Sequence, residues 1–394
     1  MTNTPFAAAA TLRSTSTIRE RANQLLRRAR DDQSSWFAVD DGALEKAADL
    51  VEAVTRERYP DLKIPYHSRW RHFEAGGVDR IGELHTRLTD QQARVATLID
   101  LTVVSVLLDA GAGPQWSYTE HQSGLTFARS EGLGVASWHA FLNGVFSSDS
   151  AHPLQADATG LQNLTTAQLS EAFQVSPDNP LIGVEGRVQL LRRLGAAIST
   201  VGRPSELFTG LTSVTAHDIL DRLLTGLSRI WLADNTLGDE RLGDCWWHDA
   251  VVGEGLTQGW LPLHKLSQWL TYSLIEPLQW SGVQVTGLDE LTGLPEYRNG
   301  GLLLDTGVLR LRDPECTQRE WKVGDELIVE WRALTVALLD ELAPLVRARL
   351  GMQPDQMPLA CVLEGGTWAA GRKLAQQLRG GLPPLSIASD GSVF

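Results

Sequence analysis

The segment VATLIDLTVVSVLLDAG, residues 95–111, constrains the fold of this 394-residue chain more than any other stretch. Its apolar residues recur at helical spacing and cover almost the whole circumference of the helix that they predict. A helix that is apolar on all sides has to be buried by other elements on all sides. We therefore predict one helix from Leu84 to Gly111, with this segment at the centre of a large helical domain.

Helical periodicity dominates the rest of the chain as well, so the predicted fold class is mainly α, an α+β fold with a small β portion. We expect an N-terminal helical segment over residues 1–59 and a single helical domain over residues 60–394, because no Ser-, Pro- or Gly-rich linker interrupts the body of the chain. Two intimately packed lobes are the alternative arrangement. The β element is expected near residues 283–330, where Asn299-Gly300-Gly301 resembles the tight turn of a hairpin.

Composition argues against two classes of partner. Asp and Glu outnumber Lys and Arg by 48 to 35, a net charge of -13, which disfavours nonspecific binding to nucleic acid. No apolar run is long enough for a membrane span, and the N-terminus lacks the charged region of a signal peptide. The three cysteines lie far apart, as expected in a reducing compartment. We expect a cytoplasmic protein that binds neither nucleic acid nor membranes.

The stretch from Trp260 to Asp305 contains the densest group of candidate site residues. Its first half predicts a helix that begins at Pro262 and carries a stripe of leucines on one face. The opposite face carries polar side chains, namely Lys265, Gln268, Tyr272 and Glu276. This pattern is typical of the wall of a polar pocket, and equally of an amphipathic helix at the surface. On the first interpretation, Lys265, Tyr272 and the neighbouring His264 bind substrate.

Glu296 is the carboxylate that we predict to be catalytic. Hydrolysis of a polar small molecule needs a carboxylate that stabilises positive charge or activates water. Glu296 is followed by Tyr297 and Arg298, and then by a pair of glycines that permits close approach of a ligand. Acidic residues at turns are mostly ordinary surface residues, so the prediction depends on this context. Arg298 is predicted to bind substrate beside the catalytic carboxylate.

Arg69 and Arg71, in the segment IPYHSRWRHFEAGGVDR (residues 64–80), are predicted to bind an anion. Arg69 and Arg71 carry planar guanidinium groups, which bind carboxylates and phosphates through paired hydrogen bonds. The alternative is a set of structural ion pairs near the surface. His67 and His72 have no third ligand near them in the sequence, so we expect no metal site.

Two further segments supply candidate substrate contacts. Residues 113–149 combine glycines with aromatic and charged side chains, which indicates functional loops around a short helix, and we predict substrate contacts from Arg129 and Glu131 there. Tight packing would explain the same composition. The segment GDCWWHDAVVGEG contains Trp247, whose indole suits stacking on a planar ligand. Arg187 is predicted to lie on a solvated helix face.

Motifs of several common enzyme classes are absent from the sequence. There is no GxSxG elbow, no HExxH pair, no P-loop lysine and no GxGxxG fingerprint. We therefore expect no nucleotide-binding loop and no bound cofactor.

A set of long motifs resembles one family, the uracil catabolism protein 4 family of fungi and bacteria, which has been classed as a domain of unknown function. The motifs are IPYHSRWRHFEAGGVDR, TFARSEGLGVASWHAF, NPLIGVEGRVQLLRRLG, LPLHKLSQWLTYSLIEPL, LTGLPEYRNGGLLLD, LEGGTWAAGRK and the terminal SDGSVF. The resemblance implies participation in the reductase-independent (URC) route of pyrimidine degradation. In that route a cyclohydrolase-like enzyme opens the uracil ring, and urea is eventually released from a ribosylurea-type intermediate.

The motif LTGLPEYRNGGLL is also similar to a carboxylate-Tyr-Arg pattern in the queuosine salvage nucleosidases, helical proteins with a DNA-glycosylase-like fold. The carboxylate there is an Asp, whereas Glu296 stands in its place here and NGG follows. This second likeness implies that Glu296 stabilises an oxocarbenium-like ribosyl centre or activates water.

The resemblances lead to the hypothesis of an N-glycosidic hydrolase that releases urea from ribosylurea or its phosphate without a metal. The domain over residues 60–394 would be catalytic, Lys265 and Tyr272 would orient the substrate, and Arg69 and Arg71 would hold an anionic end. Two alternatives stay open. One is a non-catalytic protein that holds the pathway cyclohydrolase or shields an intermediate, and the other is a metal-dependent amidohydrolase that acts on the ureido group.

Overall fold

The structure is a computed structural model that describes residues 2–88, 90–231 and 233–388, so the terminal SDGSVF motif lies outside the described residues. Helix makes up 55% of it and the strands are short, which confirms the predicted mainly α fold with a small β portion. Among the described residues, no helix has the length and apolar character needed to cross a membrane.

The helices share one architectural role, since nearly all of them bury an apolar face. In chain order they are α1 Pro5–Leu12, α2 Thr15–Arg30, α3 Ala43–Arg58, α4 Trp70–Phe73, α5 Arg80–Arg87, α6 Gln91–Leu107, α7 Arg129–Leu142, α8 Ala158–Asn163, α9 Thr166–Ala172, α10 Val184–Ala197, α11 Ala216–Gly226, α12 Lys265–Trp280, α13 Tyr297–Asp305, α14 Glu326–Leu350, α15 Leu359–Val362 and α16 Trp368–Arg379.

The strands are two or three residues long and, within the described ranges, form six two-stranded pairs. They are β1 Phe37–Val39, β2 Ser117–Thr119, β3 Thr126–Ala128, β4 Ser213–Thr215, β5 Thr236–Leu237, β6 Glu240–Arg241, β7 Cys245–Trp247, β8 Trp260–Pro262, β9 Gln284–Thr286, β10 Leu309–Leu311, β11 Glu320–Trp321 and β12 Ser386–Ile387. The pairs β1–β10, β2–β3, β5–β6 and β7–β8 are antiparallel, whereas β4–β9 and β11–β12 are parallel.

The chain folds into two compact units. Among the described residues, unit 1 comprises 2–67, 235–268 and 287–388, and unit 2 comprises 68–88, 90–231, 233–234 and 269–286. The N-terminal helices α1 to α3 therefore belong to the same unit as α13 to α16.

Unit 1 is organised around α14, which runs for 25 residues and buries every residue from Leu327 to Leu339. Helices α2 and α3 pack against it, and α13 packs against both α14 and α16. Because α14 is covered along most of its length, polar side chains that it carries have to find partners inside the unit.

Unit 2 is organised around α6, where every residue from Thr97 to Leu107 is buried. The prediction of a central helix from an apolar pattern on all sides is confirmed for its own unit. The predicted single helix from Leu84 to Gly111 is wrong, because Asp90 accepts the N–H of Ala93 at 2.6 Å and starts a new helix. The chain before it forms the separate helix α5.

Three local predictions are also wrong. The Asn299-Gly300-Gly301 segment is not a hairpin turn but part of helix α13. Pro262 does not open a helix, because it ends strand β8 and α12 begins at Lys265. Arg187 is fully buried rather than solvated, since its guanidinium donates to the carbonyl groups of residues 108, 110, 111 and 182.

Candidate functional site

Glu296 is the N-cap of α13, and its carboxylate closes the first turn of that helix. Oε1 accepts the backbone N–H of Asn299 and Oε2 accepts that of Arg298, both at 2.6 Å. Glu is not one of the residues usually favoured at an N-cap. Its two oxygens nevertheless satisfy two of the donors that a helix start leaves unpaired, and the helix dipole stabilises their negative charge.

The environment of Glu296 changes its acidity. The residue is 8% exposed, and this burial raises the pKa of its carboxyl group above the ordinary value. Two effects lower the pKa: the hydrogen bonds from the N–H groups of Arg298 and Asn299, and the positive charge of Lys265. They are smaller than the effect of burial, so the pKa stays raised. A buried carboxylate with a raised pKa is a recurring feature of acid–base and charge-stabilising groups in enzymes.

Lys265 is the first residue of α12, and Asp244 determines where that helix starts. Asp244 Oδ2 accepts the backbone N–H of Lys265 at 2.9 Å. The main-chain oxygen of Asp244 accepts the N–H groups of Leu263 and His264, each at 3.0 Å. The short β7–β8 region thus places the ammonium group of Lys265 where its charge acts on Glu296.

Asp244 is also the anionic half of a buried ion pair with Arg332 of α14. The guanidinium donates through both terminal nitrogens, to Oδ1 at 2.8 Å and to Oδ2 at 2.7 Å, and the two side chains are 1% and 6% exposed. Burial alone would raise the pKa of Asp244, but the charge and hydrogen bonds of Arg332 and a hydrogen bond from Trp246 hold it at about 2. Arg332 Nε also donates to the carbonyl oxygen of Pro295 at 3.3 Å.

A second connection joins α12 to the LTGLPEYRNGG motif. Gln268 Oε1 accepts the N–H of Thr292 at 2.9 Å, and Gln268 Nε2 donates to Thr292 Oγ1 at 2.6 Å. Gln268 and Thr292 are both fully buried. Two buried hydrogen bonds of the Gln268 side chain therefore hold the motif that carries Glu296 to the first turn of α12.

Gly300, the first of the two glycines after Glu296, has a packing role. A Cβ at Gly300 would lie 2.7 Å from Cε2 of Trp331, whose indole N–H donates to the Gly300 carbonyl oxygen at 3.2 Å. The space beside Gly300 is thus occupied by the Trp331 side chain. The sequence interpretation, which assigned that space to a ligand, is corrected at this position.

The side chains of His264 and Arg298 donate hydrogen bonds to main-chain carbonyl groups of the protein. His264 has a left-handed backbone, with φ of 45°, and its Nε2 donates to the carbonyl oxygen of Leu12 at 2.9 Å. Burial lowers the pKa of His264. Arg298 is 2% exposed, donates to the carbonyl oxygen of Gly381 at 3.1 Å and lies over the ring of Tyr297. Substrate contacts from these two side chains stay predictions.

Trp247 lies at the surface of unit 1. It is 51% exposed, its indole N–H donates to Asp249 at 2.7 Å, and its ring meets that of Trp260 edge to face. The stacking role predicted for Trp247 stays a prediction.

Arg69 lies in the core of unit 2. Its guanidinium is fully buried and contacts Asp109 at 3.0 Å, the hydroxyl of Ser105 at 2.7 Å and the carbonyl oxygen of Ser130 at 3.1 Å. Burial lowers the pKa of Arg69, and the charge of Asp109 opposes that effect. These are contacts of a structural ion pair, the alternative that the sequence left open, and anion binding by Arg69 stays a prediction.

The other predicted residues of unit 2 are placed on several elements. Arg71 pairs with Glu276 at 2.8 Å and with Glu74 at 3.2 Å. Tyr272, on α12, is completely buried. Half-buried Arg129 and Glu131 occupy the first turn of α7, where Arg129 has a left-handed backbone with φ of 56°. Substrate contacts from all four stay predictions.

Sequence reasoning missed a buried cluster around Glu364 in unit 1. Glu364 accepts from His67 Nδ1 at 2.8 Å, from Arg58 Nη2 at 2.7 Å and from the hydroxyl of Tyr59 at 3.0 Å. Burial alone would raise the pKa of Glu364, but the hydrogen bonds and charges of His67 and Arg58 hold it at about 2. Glu364 lies in a π-helical segment, Leu363–Thr367, between α15 and α16. Such segments often mark functional sites, and the LEGG sequence was the available signal.

Among the residues that the structure describes, no three His, Cys, Asp or Glu side chains are grouped closely enough to hold a metal ion.

The fold and the Glu296 region define a class: a mainly helical protein with a buried carboxylate at a helix N-terminus and a lysine acting on it. A family described as "Protein of unknown function (DUF1688)" matches residues 11–394. The chain is 40% identical over 396 residues to "Protein urg3" of Schizosaccharomyces pombe, covering 96% of each chain. It is 37% identical over 432 residues to "Uracil catabolism protein 4" of Lachancea kluyveri, covering 97% of this chain and 98% of that protein. The chain therefore belongs to this family, and the membership predicted from its motifs is confirmed.

Proposed function

We propose that this protein acts in uracil catabolism as an N-glycosidic hydrolase that releases urea from ribosylurea or its 5′-phosphate. The name of the Lachancea kluyveri relative supports the pathway. The reaction class is supported by one observation in particular, the buried Glu296 carboxylate with its raised pKa and its neighbouring cation.

The proposed reaction breaks the bond between the ribose C1′ and a urea nitrogen. As that bond lengthens, positive charge develops on C1′ and the ring oxygen, and an anionic carboxylate stabilises it. Water then adds to C1′ and loses one proton, while the departing urea nitrogen gains one, so that ribosylurea and water give ribose and urea. Glu296 is assigned the stabilisation of the cation or the uptake of the proton from water.

The positive charge of Lys265 and the two backbone N–H groups at the helix start favour the ionised form of Glu296. Ionisation is the state in which the carboxylate performs either of those roles. The raised pKa that burial imposes makes the same group a better proton acceptor than an exposed glutamate.

The test is the release of urea from chemically prepared ribosylurea and from its 5′-phosphate, each with and without EDTA. Urea and the free sugar or sugar phosphate, formed under both conditions, are the expected products. Loss of activity in EDTA would support the metal-dependent amidohydrolase instead. No urea from either compound, together with saturable binding of one of them, would support the non-catalytic binding protein, for which Glu296 is only a helix cap.

A further inference from the structure

The pair of Asp244 and Arg332 connects the two chain segments that carry Lys265 and Glu296. On one side, Asp244 accepts the backbone N–H of Lys265 at 2.9 Å. On the other side, Arg332 Nε reaches the carbonyl oxygen of Pro295, the residue directly before Glu296, at 3.3 Å. Arg332 and Asp244 are joined to each other by two hydrogen bonds of 2.7 and 2.8 Å.

One end of this connection lies on α14, which is buried without interruption from Leu327 to Leu339. Arg332 lies in the part of α14 in which every residue is buried, so its backbone has little freedom to move. Both side chains of the pair are almost completely buried. A side chain held in this way fixes the position of the groups it contacts far better than one on a surface loop.

Stability alone gives little reason to place an ion pair there. Removing two charges from water costs several kcal/mol, roughly what their attraction returns, and apolar side chains of similar volume are often as good. The pair instead meets two backbone groups that flank the candidate site, and Gln268 with Thr292 repeats the connection between the same two segments.

We propose that Asp244 and Arg332 are positioning residues, which set the distance between the Lys265 ammonium and the Glu296 carboxylate through the main chain of each. This inference rests on the proposed function, since it assigns these two residues to the same site. Neither residue touches substrate, and both act through Lys265 and Glu296.

The test compares Arg332→Lys with Arg80→Lys. Arg80 forms a matched pair with Glu120 in unit 2, also with two 2.7 Å hydrogen bonds and with both side chains 1% exposed. Each variant keeps the positive charge and loses the planar fork. We expect Arg332→Lys to lower kcat for urea release about 100-fold with little change in KM, whereas Arg80→Lys loses stability but keeps kcat.

A titration of Glu296 provides a readout that needs no substrate. Glutamate labelled with ¹³C at Cδ is followed by NMR, and the Glu296 signal is assigned by its absence in Glu296→Gln. Lys265 and Arg298 are charged groups that act on Glu296, and position 332 keeps its positive charge as lysine. We expect the pKa of Glu296 to rise in Arg332→Lys, because Lys265 moves away from it, and to stay at the wild-type value in Arg80→Lys.

Both inferences fail in distinguishable ways. An unchanged Glu296 titration in Arg332→Lys, or a kcat like that of Arg80→Lys, overturns the positioning role even if the wild-type protein releases urea. A shifted titration in a protein that releases no urea keeps the positioning role and removes the proposed reaction. If Arg332→Lys does not fold, Asp244→Glu, which keeps the negative charge but lengthens the side chain by one methylene group, gives the same two readouts.

Discussion

Gly371 of α16 packs directly on the backbone carbonyl of Arg298 in the first turn of α13. A Cβ at this position would overlap the carbonyl oxygen of Arg298 and lie 2.7 Å from its carbonyl carbon. The absence of a side chain therefore lets the two helices approach at the turn that Glu296 caps. A change at Gly371 should consequently be transmitted to the backbone N–H groups that Glu296 holds.

Replacement of Gly371 by alanine is expected to destabilise the protein by about 1–3 kcal/mol, because backbone has to move to admit the methyl group. Gly301 is the matched control, since its Cβ would make an ordinary contact with Pro384, with Cδ at 3.4 Å, and helix α13 favours alanine over glycine. Gly301→Ala should be neutral or more stable by up to about 1 kcal/mol. Urea unfolding of both variants measures the difference, and equal midpoints would contradict the close approach of Gly371.

The fold was predictable from the sequence where the residue pattern of one segment is sufficient to show that the segment is buried. The apolar circumference of residues 95–107 was sufficient to predict a central, buried helix. Helix starts were mispredicted where a side chain decided them. Asp90 caps α6, and Asp244, 21 residues before Lys265, caps α12. No local pattern reveals a cap supplied from that distance.

Gln268 and Thr292 form two buried hydrogen bonds, and Gln268→Leu should leave the N–H and the hydroxyl of Thr292 without them. We expect a loss of about 1–3 kcal/mol in the free energy of unfolding, because two buried hydrogen bonds are lost while the polar atoms of Thr292 stay buried.

Gln258→Leu is the control for this loss. Its amide also makes two hydrogen bonds, to Gly253 and Val251, but the side chain is exposed, so water replaces them. Chemical unfolding should show a change within about 0.5 kcal/mol for Gln258→Leu. Similar losses for both variants would show that the Gln268 bonds are not specially stabilising.

Glu364 should make the stability of the protein depend on pH in acid. Its folded-state pKa of about 2 lies below the ordinary 4.5, so the folded state binds fewer protons than the unfolded state between these values. The stabilisation is therefore complete above about pH 4.5 and is lost as the pH falls towards 2. Glu364→Gln removes the charge, and we expect a loss of about 1–3 kcal/mol at pH 7, because the hydrogen bonds from Arg58, His67 and Tyr59 lose a charged acceptor.

The measurement is urea unfolding of wild type and Glu364→Gln at several pH values between 3 and 7. The difference between the two proteins should shrink as the pH falls. Glu20→Gln, at an exposed position of α2, is the control and should differ from wild type by less than about 0.5 kcal/mol throughout. A difference for Glu364→Gln that stays constant with pH would contradict the lowered pKa.

The candidate site was predictable only in part. Glu296, Arg298 and Lys265 were named from one continuous stretch, and the structure places the charges of Lys265 and Arg298 within electrostatic reach of Glu296. Asp244 and Arg332 were missed because they are 88 residues apart and each looks like an ordinary charged residue in its own segment. Glu364 was missed for the same reason, since its partners His67 and Arg58 are about 300 residues earlier. A buried pair of this kind leaves no pattern in the sequence around either residue, because folding alone brings the two partners together.

Two substitutions at Glu296 separate its charge from its position. Glu296→Asp keeps the negative charge and suits an N-cap, but it withdraws the carboxylate by one methylene group. We expect kcat for urea release to fall about 100-fold, since a displacement of roughly 1 Å has an effect of that size. Glu296→Gln keeps the length and loses the charge, and kcat should fall by about 10³-fold or more.

Glu290→Gln, at an exposed position of the preceding turn, should leave kcat unchanged. Circular dichroism and urea unfolding establish that each variant is folded, and a folded Glu296→Gln protein that releases urea at the wild-type rate would remove Glu296 from the reaction.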